Sequence, residues 1–266
     1  MKTKLFAPEY DRDEHDWVLF PRDDDYRKEM FPPEVNQHPA KANVYLVQAI
    51  IEYVSEYDQT ILDPMSGTGT LMVGSMIGRN SICIEISPVF HGLQRQAVDK
   101  LETIAPGVSS RISLINLPCQ KVMPIPNWVD HIITSPPYAS IMKSKGTDKL
   151  TSEKGMNTAE YSFTSPMNLG QMNDWLWAQE MKKIYQKGFQ SLKPGGTMSL
   201  IVKDHMKDRQ RVMLSQAALD ACLQVGFESY AWFKWKAPGS VFTNIYRSRG
   251  WEVVDDEDIV IVRRPT

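Results

Sequence analysis

The chain has 266 residues, 42% of them hydrophobic, with 15 glycines and 17 prolines, a balance that can bury a sizeable core and excludes a disordered or fibrous polymer. The formal charge of −2 hides a gradient, −6 over residues 1–142 and +4 over residues 143–266, with basic groups gathered in "KSKGTDK", "KDHMKDRQR" and "KWKAPGSVFTNIYRSR". Three widely spaced cysteines, Cys83, Cys119 and Cys222, argue against a disulfide framework and against a Cys-x-x-Cys metal site.

An acidic, Pro-rich segment at 8–39 reads as an N-terminal arm. A helix is predicted over 42–57, then a strand over 60–63 that runs into "ILDPMSGTGT", where Gly67 and Gly69 permit a tight turn into a helix over 68–79. Met72 stands where a dinucleotide fingerprint needs its third glycine, and Ser75 rather than lysine follows Gly74, so both phosphate-binding readings weaken. Asp63, just before the turn, would repel a pyrophosphate but suits a ligand with an ammonium group and a sulfonium centre, which is S-adenosylmethionine. Strands at 81–86, 111–116 and 129–135 follow, with a helix at 88–104. Glu85, at the end of the second strand, is the natural partner of ribose hydroxyls.

Beyond these lie a helix at 173–192, a strand at 196–202, a helix at 211–225 closed by Gly226, and strands at 227–235 and 258–263. Alternating strands and helices predict an α/β fold with a mostly parallel sheet covered on both faces. The last two strands, with only a loop between them, predict an antiparallel end to the sheet. No repeat or Gly/Ser linker interrupts the pattern, so a single domain over 1–266 is expected.

The fourth strand ends in "HIITSPPYAS", an odd close for a buried strand. An exocyclic amine of a nucleobase carries two N–H donors and a lone pair delocalised into the ring. The Ser135 hydroxyl and the Pro136 carbonyl can accept those two donors and hold the nitrogen for methyl transfer. The pair Pro136 and Pro137 stiffens the turn, and the Tyr138 ring offers a stacking platform to a flipped base.

"TSPPY" with "DPMSGTGT" and "NQHPAK" resembles the amino-methyltransferases of DNA, over about residues 36 to 202. The resemblance implies a Rossmann-like class I methyltransferase, a seven-stranded sheet with an antiparallel last strand, and S-adenosylmethionine as cofactor. It implies Ser135, Pro136, Pro137 and Tyr138 as the catalytic loop. Asp63, Pro64, Gly67, Gly69 and Glu85 fall in the cofactor site, and His38, Pro39 and Lys41 in a segment that covers the methionine end of the cofactor. The family often has an acid after the third strand to contact the adenine; "INLPCQ" offers Asn116 and Gln120 instead. Ser in the first position of "SPPY" is typical of cytosine-N4 enzymes, whereas Asp or Asn is typical of adenine-N6 enzymes, so N4 of cytosine is expected, with N6 of adenine as the alternative and an RNA base behind it.

"PCQ" at 118–120 resembles the nucleophile loop of carbon-5 cytosine methyltransferases. It lacks their second proline and their Glu-Asn-Val segment, so Cys119 is expected to be an ordinary thiol. An inactive, binding-only relative would be expected to have lost Asp63, Gly67 or the Ser-Pro-Pro-Tyr loop, and all three are present. Recognition of double-stranded DNA falls to loops at 139–172, 203–211 and 234–251, with Lys143, Lys145, Arg247 and Arg249 as candidates for phosphate contacts. A homodimer and a partner restriction enzyme are both compatible with the sequence. The opening residues "MKTKLFAPEY" lack a signal-peptide core, and no run reaches the roughly 18 apolar residues of a membrane span. The expected location is the cytoplasm.

Overall fold

The computed structural model describes residues 4–37, 41–138, 165–237 and 241–266. Among them nine strands occur: β1 (Thr60–Asp63), β2 (Asn80–Ile84), β3 (Ile112–Ile115), β4 (Val129–Thr134), β5 (Leu192–Val202), β6 (His205–Lys207), β7 (Gln210–Val212), β8 (Glu228–Lys236) and β9 (Asp256–Arg263). Seven of them form one sheet in the order β3-β2-β1-β4-β5-β9-β8. β1 to β5 pair in parallel, and β9 enters antiparallel between β5 and β8. This is the mostly parallel sheet with an antiparallel last strand that the alternation of elements predicts.

Residues on successive strand positions feed opposite faces. Ile61, Ile133, Ile201 and Ile261 join one apolar cluster, while Leu62, Ile132, Leu200 and Val260 join the other. The first face is covered by α2 (Val44–Val54) through Val47, Ile50 and Ile51. On the second face, a helix over Asp174–Ser191 contributes Met181, Ile184 and Tyr185. Side chains cap some of the helix starts. Asn43 accepts from Tyr45 N and Leu46 N at α2, and Ser87 accepts from Phe90 N at α4 (Pro88–Ile104), where Pro88 opens the helix. The helix over Leu214–Val225 ends at Gly226, whose φ of 114° supplies the left-handed cap expected there.

Several boundaries differ from expectation. The predicted helix over 68–79 is a 3-10 turn at Thr70–Met72 followed by the short α3 (Val73–Met76). A Cβ at Gly74 would collide with the side chains of Ile61 and Ile51, so Gly74 lets α3 press against β1, and Gly78, at φ 85°, turns the chain away. Residues 211–212 belong to a β6-β7 hairpin rather than to the following helix. "INLPCQ" contains a short α5 (Cys119–Val122). The helices after it are α6 (Asp174–Ser191), α7 (Leu214–Val225) and α8 (Val241–Ser248). The segment 234–251 is therefore not a plain loop: it holds the end of β8 and all of α8, so more than a loop separates the last two strands.

The N-terminal arm is part of the core. Its α1 (Asp24–Met30) and flanking residues bury Phe6, Val18, Phe20, Met30, Phe31 and Val35 in the first apolar cluster. Val18 N donates to Lys234 O and Lys236 N donates to Val18 O, both at 3.0 Å, so the arm pairs with the outer edge of β8. The apolar positions of the arm have no helical or strand period, which is why the sequence assigns it no packing partner.

Candidate functional site

The carboxyl ends of β1, β2 and β4 lie side by side and open into one cleft, lined by residues from all three strand ends. Lys41, Asp63, Pro64, Gly67, Glu85, Ser135 and Pro137 all line it. Sequence positions up to 96 residues apart thus meet because parallel strands deliver their ends to one edge.

Asp63 is held from two sides: the Thr134 hydroxyl donates to its Oδ1 at 2.7 Å and Met65 N donates to the same oxygen at 3.0 Å. The turn then bends through Gly67 (φ 52°) and Gly69 (φ 84°), left-handed positions that favour glycine. Glu85 is buried and grips this turn, accepting from Gly67 N at 2.8 Å and from Ser87 N at 2.7 Å. Gln94, fully buried on α4, donates to Ser66 Oγ at 2.8 Å and to Gly67 O at 2.7 Å, which locks the turn from behind.

Both carboxyls are shifted. Loss of water pushes Asp63 up to about 6, against its bonds from Thr134 and Met65. Burial pushes Glu85 up to about 7, with the charge of Asp63 adding to the effect. Among the described residues neither forms an ion pair. A cleft with two uncompensated carboxyls, apolar walls at Ile86, Phe90 and Leu169, and a glycine turn fits a ligand that carries a cation, hydroxyls and a flat ring. S-adenosylmethionine has all three.

Ser135 and Pro137 face the cleft at the end of β4, with Pro136 buried between them in sequence. Two bonds outside the motif hold this loop. The Trp177 indole on α6 donates to Pro137 O at 2.6 Å, and Lys203 N, just past β5, donates to the Tyr138 hydroxyl at 2.5 Å. Neither Trp177 nor Lys203 carries a local signal that sequence reading could use, since each acts 40 residues or more from its partner.

Other expected residues fall elsewhere. Asn116 is exposed, donates to Glu85 O at 2.8 Å and does not line the cleft, whose wall there consists of Pro118, Cys119 and Gln120. Burial pushes the Cys119 thiol up to about 12, so it is no thiolate at neutral pH. Lys41 lines the cleft, and burial together with the charge of Arg27 lowers its ammonium from the usual lysine value. Arg247 and Arg249 are exposed on and just after α8. His38, Pro39, Lys143 and Lys145 lie outside the described residues.

A residue that sequence reading missed is Arg27. It is buried, pairs with Asp23 at 2.6 Å, and donates to Ala42 O at 2.7 Å and Thr70 Oγ1 at 3.3 Å. Asp23 in turn accepts from Val44 N at 2.9 Å, at the start of α2. One guanidinium thus ties the arm to both rims of the cleft, at Ala42 and at Thr70.

Comparison with known proteins agrees with this geometry. No curated protein sequence matches the chain. Among solved structures, TrmN from Thermus thermophilus is similar at 17% identity and a TM-score of 0.52, with 87% of this chain and 52% of TrmN covered. The chain therefore spans about half the length of TrmN. A methyltransferase from Pyrococcus furiosus is similar at 12% identity and a TM-score of 0.51, covering 86% and 87% of the two chains. The [4+2]-cyclase SpnF gives 15% identity, a TM-score of 0.53 and coverage of 84% and 82%. At these identities the likeness speaks to the fold alone, and a cyclase among the neighbours illustrates that the fold by itself does not fix the reaction. The family model described as DNA methylase matches residues 7–95, the stretch that holds the arm, α2, the glycine turn and Glu85. Over those residues, about a third of the chain, the chain is similar to the DNA methylases, which supports a DNA amino-methyltransferase assignment.

Proposed function

We propose that the protein methylates the exocyclic N4 of cytosine in double-stranded DNA, with the target base flipped out of the duplex. The observation that carries this reading is the Thr134–Asp63 bond of 2.7 Å, which couples the strand leading into Ser135-Pro136-Pro137-Tyr138 to the cofactor carboxylate. When bound, S-adenosylmethionine supplies an activated methyl group on a sulfonium. Asp63 offers a carboxylate to its ammonium group, and Glu85 an acceptor to its hydroxyls. The Ser135 hydroxyl and the Pro136 carbonyl are the acceptors for the two amine hydrogens of the base; the nitrogen would take the methyl as the methyl–sulfur bond breaks with its electron pair left on sulfur, and one amine proton would pass to water. Trp177, through Pro137 O, and Lys203 N, through the Tyr138 hydroxyl, keep the loop from relaxing when no base is present. The buried neutral thiol of Cys119 speaks against the carbon-5 reaction, which needs a thiolate. A DNA substrate goes with a cytoplasmic location, and the basic loops go with phosphate contacts. One domain carrying both the chemistry and the recognition loops goes with the arm's burial in the core.

Incubation with unmethylated duplex DNA and S-adenosylmethionine, followed by digestion to nucleosides and mass spectrometry, tests this. We expect N4-methylcytosine, lost or reduced at least a hundredfold in Ser135→Ala with cofactor affinity little changed. N6-methyladenine would overturn the choice of base, and methylated RNA beside untouched DNA the choice of substrate.

A further inference from the structure

The β6-β7 hairpin rises from the same sheet edge as the cleft: Ile201 of β5 lines the cleft, and the hairpin begins three residues after β5 ends. Its base is fixed, because Arg211 donates to Asp204 and to Asp256, each at 2.8 Å, and both carboxylates are buried. Its tip is a two-residue turn in which Asp208 (φ 51°) and Arg209 (φ 64°) are both left-handed. Glycine or asparagine normally fills such positions. A side chain with a Cβ is strained in that conformation relative to glycine, which directs attention to what the Arg209 side chain does.

Its guanidinium carbon lies 5.3 Å from the centre of the Trp251 ring. Arg249 lies 5.8 Å from the same ring, and Tyr246 stacks on it with centroids 5.3 Å apart at 20°. All four residues are exposed, Trp251 by 42%. Among the described residues neither Arg209 nor Arg249 has a carboxylate partner, whereas the neighbouring Arg247 is paired with Asp255 at 2.6 Å. Two planar cations held in place against an exposed indole suit a chain of phosphates, since guanidinium forks match phosphate oxygens.

We propose that Arg209, Arg249 and Trp251 form a clamp on the phosphate backbone of duplex DNA beside the cleft, and that the left-handed Asp208–Arg209 turn exists to aim Arg209 into it. The choice of DNA as the polymer rests on the methyltransferase reading above.

Arg209→Gly removes the cation and relieves the turn, so it separates binding from folding. Its melting temperature should match or exceed that of the unaltered protein, while affinity for a fluorescein-labelled duplex of mixed sequence, read by anisotropy, falls about threefold. Arg209→Gly with Arg249→Gln should lose about tenfold and reduce the slope of log affinity against log salt by about two. Cofactor affinity, read by calorimetry, should not move. Unchanged duplex affinity and slope in the double variant would overturn the clamp and leave the methyltransferase reading standing. Failure of the unaltered protein to bind S-adenosylmethionine would instead overturn the reading of the cleft. Loss confined to single-stranded RNA, with duplex binding intact, would overturn DNA as the clamp's ligand.

Discussion

Asp63 and Glu85 are carboxyls waiting for a counter-charge, and that has a consequence for pH. Their folded values of about 6 and about 7 lie above the ordinary 3.8 and 4.5, so each contributes stability that is complete below its ordinary value and lost as pH rises through its folded one. A cationic, hydroxyl-bearing ligand prefers the deprotonated forms. We therefore expect the affinity for S-adenosylmethionine to rise between pH 5 and about 7.5 and then level off, measured by calorimetry across that range. In Asp63→Asn the affinity should drop at least tenfold and the part of the rise near pH 6 should vanish. An affinity indifferent to pH in both proteins would remove the carboxyls from the site. These two residues were legible in the sequence because each stands at a strand end beside a glycine or a helix cap, so local pattern carries them. Asn116 shows the converse: its position after β3 suggests the cleft, yet its amide donates to Glu85 O and other residues form the wall there.

Elements fix the cleft more than any single ligand-facing group does, and Arg27 is where three of them meet. Arg27→Met would leave Asp23 with the bond from Val44 N but no cation beside it, and would remove the guanidinium donor from Ala42 O and Thr70 Oγ1. We expect a loss of about 3 kcal/mol in urea unfolding and roughly tenfold weaker cofactor binding, with turnover at saturating cofactor retained. Arg27→Lys, which keeps a charge for Asp23, should recover part of both. Full cofactor affinity in the methionine variant would reduce Arg27 to a brace of the arm alone. None of this could be read from sequence, because the contacts to Ala42 and Thr70 span 15 and 43 residues. The β6-β7 hairpin was missed for a related reason, since "DR" at its tip lacks the glycine or asparagine that marks such turns. The strands of the main sheet and the glycine turn, by contrast, follow from period and punctuation that lie within a few residues.

At the scale of the whole molecule, the arm is a structural partner of the far sheet edge. Phe6 is 2% exposed, stacks on Phe233 of β8 with centroids 4.4 Å apart and meets Tyr53 edge-on at 5.7 Å. Phe6→Ala should cost about 3–5 kcal/mol in urea unfolding, the penalty of emptying a packed aromatic site. A cost below about 1 kcal/mol would mean that the arm only rests on the surface. The arm's pairing through Val18 also bears on how the chain reaches this state. β8 touches the sheet only through β9, which comes later in sequence, and its other edge is closed by a residue 217 positions earlier. Contacts of such separation pay loop-closure entropy before they return anything, so we expect this edge to form late in folding, with hydrogen exchange at Val18 and Lys236 protected after that of β4 and β5. Until it closes, the aromatic edge of β8 is an open template for pairing with another copy.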